Sequence, residues 1–249
     1  MSNETKEHAL DLLAVGAHPD DAELGVGGIL CKLAQRGFRV GILDLTRGEL
    51  ASRGTLDERN AESTRAAEIL QLALRENVEL EDGGVLNTPE QRMRVIPFIR
   101  RLRPRVLLAP YAPDRHPDHA HAHGLVRDAN FFAGLSRIET GQAPYRAPAV
   151  FYYCPYNVPR EPDLVIDITG TFETKLEALR AHRSQFHNPE YNGPQTLVSS
   201  EGFWADITHR AAYWARGEGV RYVEVLFSEG LVALDLPPGL PCTAEESAQ

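Results

Sequence analysis

Lysine is nearly absent from this chain of 249 residues: it occurs only at Lys6, Lys32 and Lys175, and every other strongly basic residue is arginine. Lys and Arg together number 26 against 35 Asp and Glu, a formal charge of −9. That deficit argues against a duplex-coating nucleic-acid binder, because affinity for the phosphate backbone rests on Lys and Arg. Arginine's planar guanidinium does suit bidentate recognition of carboxylates in a small pocket. Cysteine is equally scarce. Cys31, Cys154 and Cys242 are odd in number and far apart, which fits neither a disulfide framework nor a cysteine-based zinc site and does fit a reducing compartment. Apolar runs are short, none approaching the roughly 20 residues of a membrane span. The polar start MSNETKEHAL lacks the apolar segment of a secretory signal. The expectation is a cytoplasmic protein with neither membrane nor nucleic-acid partners.

Hydrophobic residues make up 43% and charged residues 24%, enough apolar material for a sizeable core. Short apolar runs over 12–17, 39–45, 106–109, 150–153, 164–168 and 222–227 read as strands. Helical periodicity covers 24–35, 57–72, 119–132, 172–181 and 203–215. Asn87-Thr88-Pro89-Glu90 is a helix start, with a capping residue, Pro at the first position and an acid in the first turn. That helix runs to residue 102, with a kink expected at Pro97. Strands alternating with helices predict an α/β fold: a Rossmann-like, mostly parallel sheet with helices on both faces. No linker or repeat divides the chain, so residues 1–236 form one domain and 237–249 a frayed tail.

Two motifs fall where such sheets bind ligands, beyond the carboxyl ends of strands. One is Ala17-His18-Pro19-Asp20-Asp21, directly after the first strand. The other is Asp114-Arg115-His116-Pro117-Asp118-His119, just after the strand over 106–109. Imidazole and carboxylate are ligands that zinc accepts, and a catalytic zinc commonly takes three of them and keeps one position for water. Each residue alone has a bland reading, Asp20 or Asp21 as a helix cap and His116 as a solvated turn residue. Their joint occurrence at neighbouring strand ends carries the argument. Spacing leaves the ligands open: His119 and His123 lie four apart on one helical face, a zinc-binding interval, and compete with His18 plus His119.

His18-Pro19-Asp20-Asp21 followed by Glu23-Leu24-Gly25 and Gly27-Gly28, together with Arg115-His116-Pro117-Asp118-His119, closely resembles the LmbE-like or PIG-L zinc deacetylase superfamily. Further stretches resemble its bacillithiol-pathway N-acetylglucosaminyl-malate deacetylases: Leu45-Thr46-Arg47-Gly48-Glu49-Leu50, the segment 54–59, Ser184-Gln185-Phe186, Gly193-Pro194 and Ser199-Ser200. The resemblance implies a metal held by His18, Asp21 and His119, with zinc as cofactor; such a ligand set also accepts Fe(II) or Mn(II). It implies Asp20 as general base and His116 with Asp118 as an acid-assisting dyad, His116 being kept cationic. It leaves His121 and His123 without a role.

The implied reaction removes the N-acetyl group of an N-acetylglucosamine-type conjugate, giving a free amine and acetate. The substrate is N-acetylglucosaminyl-malate, or another N-acetyl sugar such as a chitooligosaccharide or mycothiol-type precursor. Arg59 and Arg115 match carboxylate-contacting arginines of the relatives, and Arg146 is a further contact candidate. Relatives often carry an oxyanion-stabilising Tyr where this chain has Phe203, and Tyr191 is a substitute from the neighbouring loop. A homo-oligomer, as large as a hexamer, is implied by the same resemblance. A nucleotide-binding module is the reading from another class, since Gly25-Val26-Gly27-Gly28 follows the first strand. The spacing is not G-x-G-x-x-G, and these glycines lie within the predicted helix rather than in a phosphate-cradling turn.

Overall fold

The computed structural model describes residues 9–156 and 158–231; the tail expected at 237–249, and Cys242, lie outside the described residues. Leu12–Gly16 (β1) is buried along its whole length. Such a run forms a strand covered on both faces. It pairs in parallel with Val40–Thr46 (β2) on one side and Val106–Pro110 (β4) on the other. Leu74–Leu80 (β3) extends the sheet beyond β2 and Ala149–Tyr153 (β5) beyond β4, again in parallel. The order is therefore β3-β2-β1-β4-β5, and its direction of growth reverses between β1 and β4. That reversal opens a crevice at the carboxyl ends of these two strands.

Side chains alternate across the sheet with the two-residue period of a strand. Leu13, Val15, Leu43, Leu45 and Leu107 face one core, closed by the helices Pro89–Leu102 (α3) and Pro117–Ala133 (α4). Leu12, Ala14, Ile42 and Leu108 face the other. This core is closed by Asp21–Gln35 (α1), Leu56–Ile69 (α2), Phe172–Ala181 (α5) and Glu201–Trp214 (α6). Each such residue fully buried contributes about 1.5–3 kcal/mol of transfer free energy. A smaller antiparallel pair, Leu164–Asp167 (β6) with Val223–Leu226 (β7), joins the main sheet through a single bridge between Tyr152 and Phe227. Among the described residues, no helix is long and apolar enough to cross a membrane.

The structure adds one strand and one helical irregularity to those expected. β3, with the sequence LRENVEL, is mostly half-buried; its charges and lack of an apolar run hide it as an edge strand. α3 continues through Pro97 from Pro89 to Leu102. A break that the sequence reading did not anticipate falls in α1, at Val26, whose φ of −140° and ψ of 17° are not helical.

Candidate active site

β1 and β4 deliver the two motifs to the same crevice. Asp21 opens α1, and its backbone N–H donates to His18 O at 3.3 Å. Its carboxylate Oδ2 turns back to accept the His18 backbone N–H at 2.9 Å. Asp20, the residue before the helix, has φ 132° and ψ −23°, a left-handed conformation that costs a non-glycine residue on the order of 1–3 kcal/mol. Strain of this kind persists where the surroundings over-determine it. The second motif is built from local contacts. Asp114 Oδ1 accepts the His116 N–H at 2.8 Å. His116 caps α4, its Nδ1 accepting the Asp118 N–H at 3.3 Å, and Pro117 occupies the first helical position.

Three donor groups converge. His18 Nδ1 lies 3.3 Å from His119 Nε2, His119 Nε2 lies 3.1 Å from Asp21 Oδ1, and His18 Nδ1 lies 3.5 Å from Asp21 Oδ2. Ligands bound at zinc's usual ~2.0–2.1 Å in a tetrahedron stand about 3.3–3.4 Å apart. The His18–His119 separation is close to that value, and the Asp21 carboxylate reaches His119 through Oδ1 and His18 through Oδ2. Among the described residues, two groupings have ligand atoms that all lie within 4.8 Å of one another: His18, His116 and His119, and His18, Asp82 and Asp118. The second uses the far nitrogen of His18, since Nε2 lies 3.1 Å from Asp82 Oδ1 and 3.3 Å from Asp118 Oδ2. That leaves Nδ1 for a metal and gives Nε2–H a carboxylate partner, the arrangement that orients metal-bound imidazoles.

The electrostatics favour positive charge at this point. Burial would lower the pKa of both imidazoles, yet Asp118, Asp21 and Asp82 raise His18 well above its ordinary value. Asp21 and Asp114 likewise lift His119 to about 9. Burial would raise Asp21, but His119 and His18 hold it well below the usual carboxylate range. Asp20 behaves oppositely. Burial, with the adjacent Asp21, raises it to about 6 against the pull of Arg59, a value suited to a base near neutral pH.

Arg59 is buried. It donates to Gly48 O at 3.2 Å and Pro19 O at 3.0 Å, and it stands 3.6 Å from Asp20 Oδ2. Its Nη atoms are thus engaged within the protein rather than presented to a substrate.

The structure departs from the expected dyad. The carboxylate of Asp118 accepts from Gly83 N at 2.8 Å and faces His18; only its backbone N–H meets the His116 ring. An Nδ1 that accepts a hydrogen bond leaves the neutral ring's proton on Nε2. Burial, then His18 and His119, lower the His116 pKa, so the neutral Nε2–H form is favoured over the cation.

His123 is held away from the site, with Nδ1 3.2 Å from Pro110 O and Nε2 3.0 Å from Glu229. Arg146 donates to Phe131 O at 2.8 Å. Phe131 is twelve residues along α4 from His119, about 18 Å at helical rise. Tyr191 accepts the Gly54 N–H at 3.0 Å, and its ring carries Arg53 at 4.6 Å, so it fastens the loop at 191 to the start of α2.

Beside the trio runs a groove of about 500 Å³ lined by Arg115, Tyr156, Leu197, Gly202, Phe203 and Asp206. Tyr156 stacks on His119, with centroids 5.4 Å apart and planes 7° apart. The Arg115 guanidinium lies 5.3 Å from the Tyr156 ring centre, and Phe203 lies 5.8 Å away. Burial and the Asp21 and Asp20 carboxylates keep the Tyr156 hydroxyl protonated, hence a hydrogen-bond donor. Sequence reasoning missed both Tyr156 and Asp82. Tyr156 follows the carboxyl end of β5, next to β4, and that placement is the signal for it. Asp82 follows β3, which was itself hidden.

Residues 13–130 match the PIG-L family, described as GlcNAc-PI de-N-acetylase. The chain is 32% identical over 243 residues to the diacetylchitobiose deacetylase of Thermococcus kodakarensis, covering 90% of this chain and 87% of that protein. It is 26% identical over 195 residues to the 4-oxalmesaconate hydratase of Pseudomonas putida, covering 72% and 75%. Among solved structures, a conserved protein of Thermus thermophilus superposes with a TM-score of 0.84 at 38% identity, covering 93% of this chain and all of that one. With the two motifs meeting at the switch point and similarity running over most of both chains, this chain belongs to the PIG-L (LmbE-like) deacetylase family.

Proposed function

We propose that the protein is a zinc-dependent N-deacetylase that releases acetate from N-acetylglucosamine conjugates. The observation that carries this reading is the convergence of His18, Asp21 and His119, each within 3.1–3.5 Å of the next, with the raised Asp20 carboxyl beside it. Zinc held there supplies Lewis acidity and lowers the pKa of water towards about 7. Asp20 takes the proton of the attacking water, and its strained backbone and Arg59 fix it in place. The proton that Asp20 takes from water is returned to the departing nitrogen, which leaves poorly as an anion, and the neutral His116 donates a hydrogen bond from Nε2–H at the reacting centre. Tyr156 offers its hydroxyl to the developing oxyanion, a role Phe203 has no donor to fill. His18 is oriented by Asp82 and Asp118.

On the substrate, the groove supports a neutral second half. Arg115 is the arginine in its lining, where Asp206 would oppose an acidic group, and Arg59 is taken up by Gly48, Pro19 and Asp20. A second sugar or an inositol fits this lining better than the malate of the bacillithiol pathway. The test is acetate release from diacetylchitobiose, N-acetylglucosaminyl-inositol and N-acetylglucosaminyl-malate, with and without a chelator. Acetate from the neutral conjugates, abolished by chelation and restored by zinc, is the expected result. Faster release from the malate conjugate, lost in Arg115→Ala, would return the substrate to the bacillithiol pathway.

The hydratase relative gives one ground for a second reading, addition of water to the double bond of an unsaturated polycarboxylate. It would be favoured by no acetate from any conjugate and loss of the alkene absorbance. Metal analysis of purified protein separates zinc from Fe(II) or Mn(II), and light scattering tests the homo-oligomer or hexamer.

A further inference from the structure

α1 is two helical pieces joined at Val26. The first carries Asp21 and begins at the strained Asp20. In an unbroken helix the Gly28 N–H would donate to Leu24 O, four residues back. Here that hydrogen bond is opened and an ion pair is inserted into it. Gly28 N donates to Glu224 Oε1 at 2.9 Å, Lys175 Nζ donates to the same oxygen at 2.6 Å, and Lys175 Nζ also donates to Leu24 O at 2.8 Å. The other carboxylate oxygen of Glu224 accepts the Ile29 N–H at 2.7 Å. Thr171 Oγ1 donates to Gly28 O at 2.8 Å. Lys175 and Glu224 are each only 4% exposed, and Lys175 is one of the chain's few lysines.

The glycine run is explained by the same contacts. A Cβ on Gly25 would lie 2.1 Å from the Tyr153 ring, and one on Gly28 would lie 2.8 Å from Ile168. The backbone N–H groups that gave this run a phosphate-binding look are occupied by the protein's own carboxylate.

We propose that Lys175 and Glu224 are positioning residues: their ion pair holds α1 broken and thereby sets the orientation of the Asp20–Asp21 turn at the metal. The pair comes from α5 and β7, so the second half of the chain fixes a turn supplied by the first. A cavity of about 40 Å³ lies against Leu24, Gly25, Lys175, Glu224 and Arg210, room for about one water. Arg210 in turn donates to the carbonyl of Tyr156, whose ring lies on His119. The break is therefore braced from the same place as the aromatic wall of the groove.

The inference rests on the reading of His18, Asp21 and His119 as zinc ligands, and the experiment separates the two. Zinc affinity is measured by chelator competition, with kcat and KM for acetate release alongside, in the wild type, Lys175→Met, Glu224→Gln and the double substitution Lys175→Met/Glu224→Leu. Removing both charges lets Gly28 N bond directly to Leu24 O, and apolar replacement of a buried pair is often tolerated. The double variant is therefore expected to fold. It should bind zinc about 10-fold more weakly, within the range of outer ligand-orienting contacts, with kcat reduced and KM unchanged.

Leu176→Ala, in the same helix but with no side-chain hydrogen bond to the break, is the control. Its Tm should fall while its zinc affinity stays at the wild-type value. Wild-type zinc affinity and kcat in the folded double variant would overturn the proposal. So would an equal loss of affinity in Leu176→Ala at matched Tm. A wild-type protein that binds no zinc would overturn the ligand reading instead.

Discussion

The ends of β1 and β4 hold the two halves of one site, yet they are anchored in opposite ways. Behind the β1 end lie buried charges gathered from across the chain. Glu23 accepts from His182 Nε2 at 2.9 Å and from Arg75 at 2.5 Å, and Arg75 also grips Asp44 through two bonds of 2.7 and 3.1 Å. Lys175 and Glu224 brace the same helix one turn later. The β4 end relies mainly on neighbours in sequence: Asp114 on the His116 N–H, His116 on the Asp118 N–H, and Pro117 opening the helix. The long-range anchoring holds the proposed ligands His18 and Asp21 and the proposed base Asp20 at fixed positions in the interior. The local anchoring leaves Arg115 exposed at the groove, beside the half-buried His116, where substrate and proton must pass.

Substitutions break this comparison most sharply at the ligands themselves. Asp21→Ala should weaken zinc binding beyond the roughly 100-fold ceiling of outer-contact changes and reduce acetate release to background. Metal content after dialysis and turnover report both. Asp20→Asn should keep its zinc while kcat falls by about 10²–10⁴; unchanged turnover would remove Asp20 from the chemistry. Asp82→Asn, which loosens the far side of His18, should cost roughly 10–100-fold in zinc affinity. His123→Ala should leave zinc affinity unaltered, and a loss there would reinstate the His119/His123 pair.

A last effect, on stability rather than on zinc or turnover, concerns the charges behind β1. Burial would raise Glu23, but Arg75 and His182 hold it at about 2, against an ordinary 4.5. The stabilisation is whole above pH 4.5 and is lost as pH falls towards 2, on the order of 3 kcal/mol over that window. Glu23→Gln should flatten this acid limb in urea midpoints measured against pH.

Periodicity and the position of two short motifs made much of this legible in the sequence. The apolar runs at β1, β2 and β4 are buried strands whose order was open but whose class was not. The competition between His18 and His123 was not resolvable from spacing, because a helical interval of four says nothing about what each ring meets. In the structure both nitrogens of His123 have partners, Pro110 O and Glu229, and the reading proposed above takes His18. The missing pieces share one cause. β3, Asp82 and Tyr156 act through contacts with residues distant in sequence, and β3 spends its Arg75 on buried acids rather than displaying an apolar pattern. Arg59 reads as a substrate contact by motif, and only its burial shows it bound to Gly48 and Pro19.

The left-handed backbone of Asp20 has a consequence for the history of such proteins. Glycine accepts that conformation without steric strain, so replacing Asp20 by Gly would relieve the strain and remove the proposed base. A lineage released from selection for turnover has that exchange open to it by a single residue. His-Pro-Gly-Asp in place of His-Pro-Asp-Asp would then mark a descendant that kept the architecture and abandoned the reaction.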